Sequence, residues 1–144
     1  MNEKFVRARY PHMRASESEV WRAFLQQTEL ELTAVTYDLH LGIGIPPIPG
    51  ESPGITRLKE AVTRKRVDAV AETAEDIWIM EIKERIGLST LGQLLTYFDL
   101  YTQEYPQEKA VMLGAIGWRI EPDIQETFEM HAVNIFLVRG SPSP

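Results

Sequence analysis

The apolar positions of this chain change period several times, and each change marks an element. From Ser16 the spacing is helical: Val20, Trp21, Phe24 and Leu25 recur on one face, with Glu17 on the same stripe. Ser16 followed by Glu19 reads as a capping box, which places the helix start there. Residues 29–41 alternate with period two and form a half-buried strand whose phase slips near Thr33–Val35. Residues 42–54, rich in Gly and Pro, predict an ordered loop on the rim of a site, without regular structure. Two short apolar strands follow, around Val67–Val70 and Trp78–Lys83, joined by the polar turn Glu72–Asp76. Leu88 to Tyr105 is an amphipathic helix with Leu91, Leu94, Leu95, Phe98 and Tyr101 or Thr102 facing inward. The run from Lys109 to Gly117 suits a central strand covered on both faces. A short helix (Pro122 to Met130, with Ile124, Phe128 and His131 inward) and a last strand (Ala132 to Val138) complete the order. The result is a mixed α/β sheet flanked by helices in a single domain, with a basic N-terminal arm over 1–15 and a flexible tail over 139–144.

The strand pair carries the chemistry. Side chains two apart on a strand share a face, so Glu81 and Lys83 point the same way, and a short hairpin sets Asp68 beside them. Two carboxylates and an amine on one wall are costly to bury unpaired. The grouping suits a hard divalent cation with a Lys near the water it activates. Glu17 adds a carboxylate on a core-facing stripe, explained either by a role at such a site or by the preference for acids at helix N-termini.

Charge and composition narrow the options. The 144 residues contain no cysteine, which excludes disulfides, thiolate zinc sites and iron–sulfur clusters. The net charge of −6 argues against a histone-like DNA binder, and an acidic cleft would hold DNA only with a cation present. The N-terminal cations Arg7, Arg9 and Arg14 read as a solvated arm or as one reaching for DNA phosphates. His12 has no partner at metal-ligand spacing. Residues 56–66 set Arg57, Lys59, Arg64, Lys65 and Arg66 against Glu60 alone. They form a solvated face or a patch tracking a nucleic-acid backbone. No apolar run is long enough to span a bilayer, so cytoplasmic residence is the default expectation.

Asp68 followed by Glu81-Ile82-Lys83 across a hairpin resembles the PD-(D/E)xK nuclease superfamily, with Val67 where the name has Pro. Gln93-Leu94-Leu95-Thr96-Tyr97 is similar to the Gln-x-x-x-Tyr element of its RecB and lambda-exonuclease branch. The resemblance spans roughly residues 16–138. It implies a restriction-endonuclease-like core and metal-dependent hydrolysis of DNA phosphodiester bonds. Asp68, Glu81, the Ile82 carbonyl and Glu17 would hold one or two Mg²⁺ ions, with Mn²⁺ able to substitute. Lys83 would act on the attacking water or on transition-state charge, and Gln93 and Tyr97 would contact water and phosphate. No sequence-reading motif is visible, so selectivity for structure or ends is expected. The alternative is a non-catalytic DNA-binding or assembly subunit that keeps the fold. A homo-oligomer or protein partner is compatible with so small a chain, the Ile43–Ile48 loop being one candidate surface.

Overall fold

The computed structural model describes residues 1–63 and 65–140. A five-stranded sheet is packed between helices, its strands ordered β1-β2-β3-β5-β7. The chain runs α1 (Ala15–Gln27), β1 (Ala34–Leu41), α2 (Pro53–Thr63), β2 (Lys65–Glu72), β3 (Asp76–Ile82) and β4 (Arg85–Ile86). It continues through α3 (Leu88–Glu104), β5 (Ala110–Gly117), β6 (Arg119–Ile120), α4 (Gln125–Met130) and β7 (Val133–Leu137). β1, β2 and β3 are antiparallel neighbours, whereas β3–β5 and β5–β7 are parallel, so the sheet is mixed. β4 and β6 form a separate two-residue parallel ladder beyond the ends of β3 and β5.

Alternation along β3 assigns its residues to two cores. Trp78, Met80 and Ile82 pack with Val20, Trp21 and Phe24 of α1, whereas Ile77 and Ile79 pack with Leu94, Tyr97 and Tyr101 of α3. Glu81, two residues beyond Ile79, therefore belongs to the α3 side. Among the described residues no helix is long and apolar enough to cross a membrane.

Several expectations are corrected. α1 begins at Ala15 with Arg14 as N-cap, and Glu17, not Glu19, closes the first turn by accepting the Arg14 N–H at 2.9 Å. The phase slip in β1 lies at Asp38, not at Thr33–Val35. Asp38 adopts φ 53 between the pairs Tyr37↔Ala69 and Leu39↔Val67, and Tyr37 packs on the α1 side while Leu39 packs on the α3 side. Asp tolerates the left-handed region better than most residues, which lets it reverse the strand's faces. α2 starts inside the stretch read as irregular loop. Ser52 Oγ accepts the Ile55 N–H and Pro53 occupies the first helical position, where its missing N–H costs nothing.

The N-terminal segment is docked rather than free. Asn2 is buried, its side-chain amide donating to the Leu30 carbonyl and its oxygen accepting from the Leu32 N–H, both at 3.0 Å. Tyr10 is also buried, against Tyr37. His12 finds a partner in space that its local sequence lacks: its Nε2 lies 2.9 Å from Asp38 Oδ2. In the tail, Arg139 exchanges two 2.7 Å hydrogen bonds with Gln27, while residues 141–144 lie outside the described residues. His131 is exposed rather than inward.

Candidate active site

The main-chain pairing of β2 with β3 runs from Glu72↔Ile77 to Ala69↔Met80 and stops one step short of Asp68 and Glu81. Beyond that point the strands are joined through carboxylates. Asp68 Oδ2 accepts the Ile82 N–H at 2.9 Å, and Glu81 Oε1 accepts the Asp68 N–H at 3.1 Å. Each acid thus takes a backbone donor on the opposite strand, which fixes both side chains in the gap. In a strand, the N–H and C=O of one residue point to the same side. Ile82 directs its N–H toward Asp68, so its carbonyl faces the same gap.

Burial sets the electrostatics. Glu81 is only 2% exposed. Desolvation and the neighbouring Asp68 charge raise its pKa well above the ordinary carboxylate value, the Asp68 N–H and Lys83 opposing them weakly. Asp68 is also raised, chiefly by burial and further by the Glu17 charge, against the Ile82 N–H and Lys83. Burial and the short separation of the two carboxyls disfavour ionising both, and a bound cation would offset that. Lys83 follows β3 directly and is half-buried, its N–H bonded to the Ile116 carbonyl at 2.9 Å. Gly117 is required beside it, because a Cβ there would stand 2.7 Å from the Lys83 carbonyl oxygen.

α3 closes the site. Its fully buried residues are Thr90, Leu94, Tyr97 and Tyr101, with Leu91 and Leu95 packed against the same core; of the expected inward face Phe98 is exposed. Tyr97 is 5% exposed. Burial pushes its hydroxyl up to about 12, helped by the charges of Glu81 and Asp68 and opposed by a hydrogen bond from Gln93. Gln93 Oε1 is buried without a hydrogen-bond partner. A buried acceptor left open in this way calls for a water or a ligand group.

The structure therefore brings Asp68, Glu81, Lys83, Glu17, Gln93 and Tyr97 into one electrostatic neighbourhood. The donors available to a cation are all oxygens, two carboxylates and the Ile82 carbonyl, with Glu17 at the edge. That set fits a hard ion such as Mg²⁺, which keeps several of its own waters. Among the described residues no group of three or more His, Asp and Glu side chains is placed so that it could hold a metal ion.

The basic run does not join this constellation as a patch. Lys59 pairs with Glu51 at 2.9 Å, and Arg66 contacts Asp38 at 3.8 Å and His12 at 2.9 Å. Arg57 and Lys65 are exposed, and Arg64 lies outside the described residues. The cations beside the site are others, Arg14 of the N-terminal arm and two missed in the sequence, Arg85 and Arg119: they line a cleft of about 390 Å³ with Glu17, Lys83, Glu84 and Trp118. Gly42, at the start of the apolar loop, is held by Glu104 Oε1 at 2.6 Å, against the C-terminal half of α3.

No protein-family model and no curated protein matches the chain. A solved structure described as a protein of unknown function, AF1548, is similar over 83% of this chain and 54% of its own length. The identity is 10% and the TM-score 0.45. The chain spans about half the length of that protein.

Proposed function

We propose that the chain is a metal-dependent nuclease of the PD-(D/E)xK type that hydrolyses DNA phosphodiester bonds. The observation that carries this reading is the parting of β2 and β3 at Asp68 and Glu81. It leaves two desolvated carboxyls that need a cation, with Lys83 beside them and the open Gln93–Tyr97 pair above. A structural ion pair would have satisfied both acids with a cationic side chain; here each takes only a backbone N–H and its neighbour.

Asp68, Glu81 and the Ile82 carbonyl would hold Mg²⁺, or Mn²⁺ in its place, with Glu17 joining directly or through water. Such an ion supplies positive charge to phosphoryl oxygens and makes a bound water more acidic. The chain's own groups do the rest. Lys83 holds the attacking water or offsets charge growing on the phosphate. Tyr97 remains protonated at neutral pH and donates to a phosphate oxygen, and the open Gln93 Oε1 accepts a hydrogen bond from the attacking water, which orients it. Water adds to phosphorus, the ester P–O bond breaks, and the leaving oxygen is protonated from solvent. Selectivity for strand structure or ends, rather than base sequence, accompanies this reading.

The test is cleavage of linear, circular and branched DNA with Mg²⁺, Mn²⁺ or EDTA. Cutting that needs the metal and disappears in Lys83→Ala supports the enzyme. Binding without cutting under every metal would replace it with the non-catalytic DNA-binding subunit.

A further inference from the structure

Beyond the carboxylates, the β4·β6 ladder makes Arg85 and Arg119 direct register partners. Like charges opposite one another on paired strands are unfavourable. Among the described residues no carboxylate pairs with either, nor with Arg14. Both arginines open onto the same cleft as Arg14 and Lys83, against Glu17 and Glu84. Four cations thus face two carboxylates in a chain whose net charge is −6. The ladder holds an unbalanced positive pair in place next to Lys83, an arrangement that an anion would relieve.

The aromatic in the same cleft is Trp118, adjacent to Arg119 and half-buried, its indole N–H buried without a partner. The space, about 390 Å³, suits one nucleotide and is far too small for a duplex. A base can enter it only if unpaired. Cationic side chains with an aromatic platform are the means by which proteins hold single strands without reading sequence.

We propose that Arg14, Arg85, Arg119 and Trp118 form a subsite for one unpaired nucleotide next to the scissile phosphate. The substrate is then DNA with a single-stranded segment or frayed end. This rests on the nuclease reading for its substrate, but binding tests it apart from cutting. Trp21 and Trp78 are 0% and 5% exposed, so Trp118 is the tryptophan a ligand can reach.

Binding of single-stranded oligothymidylate, blunt duplex, overhang duplex and free thymidine monophosphate is measured by anisotropy and tryptophan quenching, with Ca²⁺ replacing Mg²⁺. Single strand and overhang should bind at least 10-fold tighter than blunt duplex and quench Trp118. The Arg85→Gln/Arg119→Gln variant should lower the slope of log K against log salt by about 0.7 per arginine. Trp118→Ala should weaken single-strand binding about 5- to 150-fold. Arg14→Gln, outside the ladder, should weaken binding even if the double variant folds poorly. Equal affinity for blunt duplex or arginine variants that bind as wild type would overturn the subsite, and tight binding of the mononucleotide with none of single strand or overhang would overturn its assignment to DNA. Arginine-dependent binding with no cutting under any metal sinks the nuclease reading and keeps the subsite. Cutting unaffected by the arginine variants does the reverse.

Discussion

Glu81 and Asp68 face each other across the end of the β2–β3 pairing, and Glu81 Oε1 accepts the Asp68 N–H at 3.1 Å. Burial raises the proton affinity of both carboxyls, and the Asp68 charge raises that of Glu81 further. The folded chain therefore binds more protons than the unfolded chain above the ordinary Glu value of 4.5. Where the folded state holds the extra proton, stability falls as pH rises. It is fully present below the unfolded pKa and lost as pH climbs through the raised Glu81 value. Thermal unfolding from pH 5 to 8.5 should show this loss in EDTA, and Mg²⁺ should restore Tm most at the alkaline end. Glu81→Gln should remove both the slope and the Mg²⁺ effect, adding about 1–3 kcal/mol at pH 8 without metal. A wild type and a Glu81→Gln variant with parallel pH profiles would refute the shared proton.

The same pair predicts how the site fails. Asp68→Ala removes one of the two buried carboxylates and should abolish metal-dependent cutting, while Lys83→Ala should lower kcat by about 10²–10⁴-fold. Lys83→Ala should keep Tm within a few degrees of wild type, whereas Asp68→Ala also leaves the buried Ile82 N–H without its acceptor and should cost about 1–3 kcal/mol. Titration of Mn²⁺ by paramagnetic resonance discriminates them: Lys83→Ala should still take up the ion, and Asp68→Ala should not. Equal uptake by both variants would remove Asp68 from the cation site.

Much of this site was legible because it lies on strands. Period-two alternation places Glu81 with Lys83 and across from Asp68, whatever the rest of the chain does. The helix was harder. Leu91, Leu94, Leu95 and Tyr101 face the core as their spacing predicts, but of that expected face Phe98 is exposed while its neighbour Tyr97 is buried. α2 was hidden because Pro53 and Gly54 read as breakers, although Pro is welcome in a first turn. Asp38 shows that a faces-reversing residue gives little local warning, since its φ of 53 is supported by contacts with His12, His40 and Arg66. Arg85 and Arg119 become neighbours only through a two-residue ladder between distant segments, which no local period reveals.

Tyr97 gives a prediction with a definite pH signature. With its hydroxyl pushed up to about 12, the group is a donor at every pH an assay would use. Tyr97→Phe should lower kcat about 10- to 100-fold. The ratio of wild-type to variant rate should stay constant from about pH 7 to pH 10. A ratio that collapses toward one near pH 10, the ordinary tyrosine value, would mean that the hydroxyl is not held in this environment.

Gly117 lets the geometry be tested without touching a chemical group. A methyl at this position would lie 2.7 Å from the Lys83 carbonyl oxygen and 3.0 Å from Ile86, both of which must move. The Lys83 backbone is anchored by its N–H to the Ile116 carbonyl, so the displacement falls on the residue that carries the ammonium. Overpacking of this kind costs about 1–3 kcal/mol. A misplacement of about 1 Å can cost about 10²-fold in rate. Gly117→Ala should therefore lose both Tm and kcat, with KM little changed because the arginines of the cleft remain. Gly54→Ala is the control, since nothing lies within 4 Å of its added Cβ. If Gly117→Ala melts lower but turns over at the wild-type rate, the backbone of Lys83 does not set the position of its amine, and the role given to Lys83 fails with it.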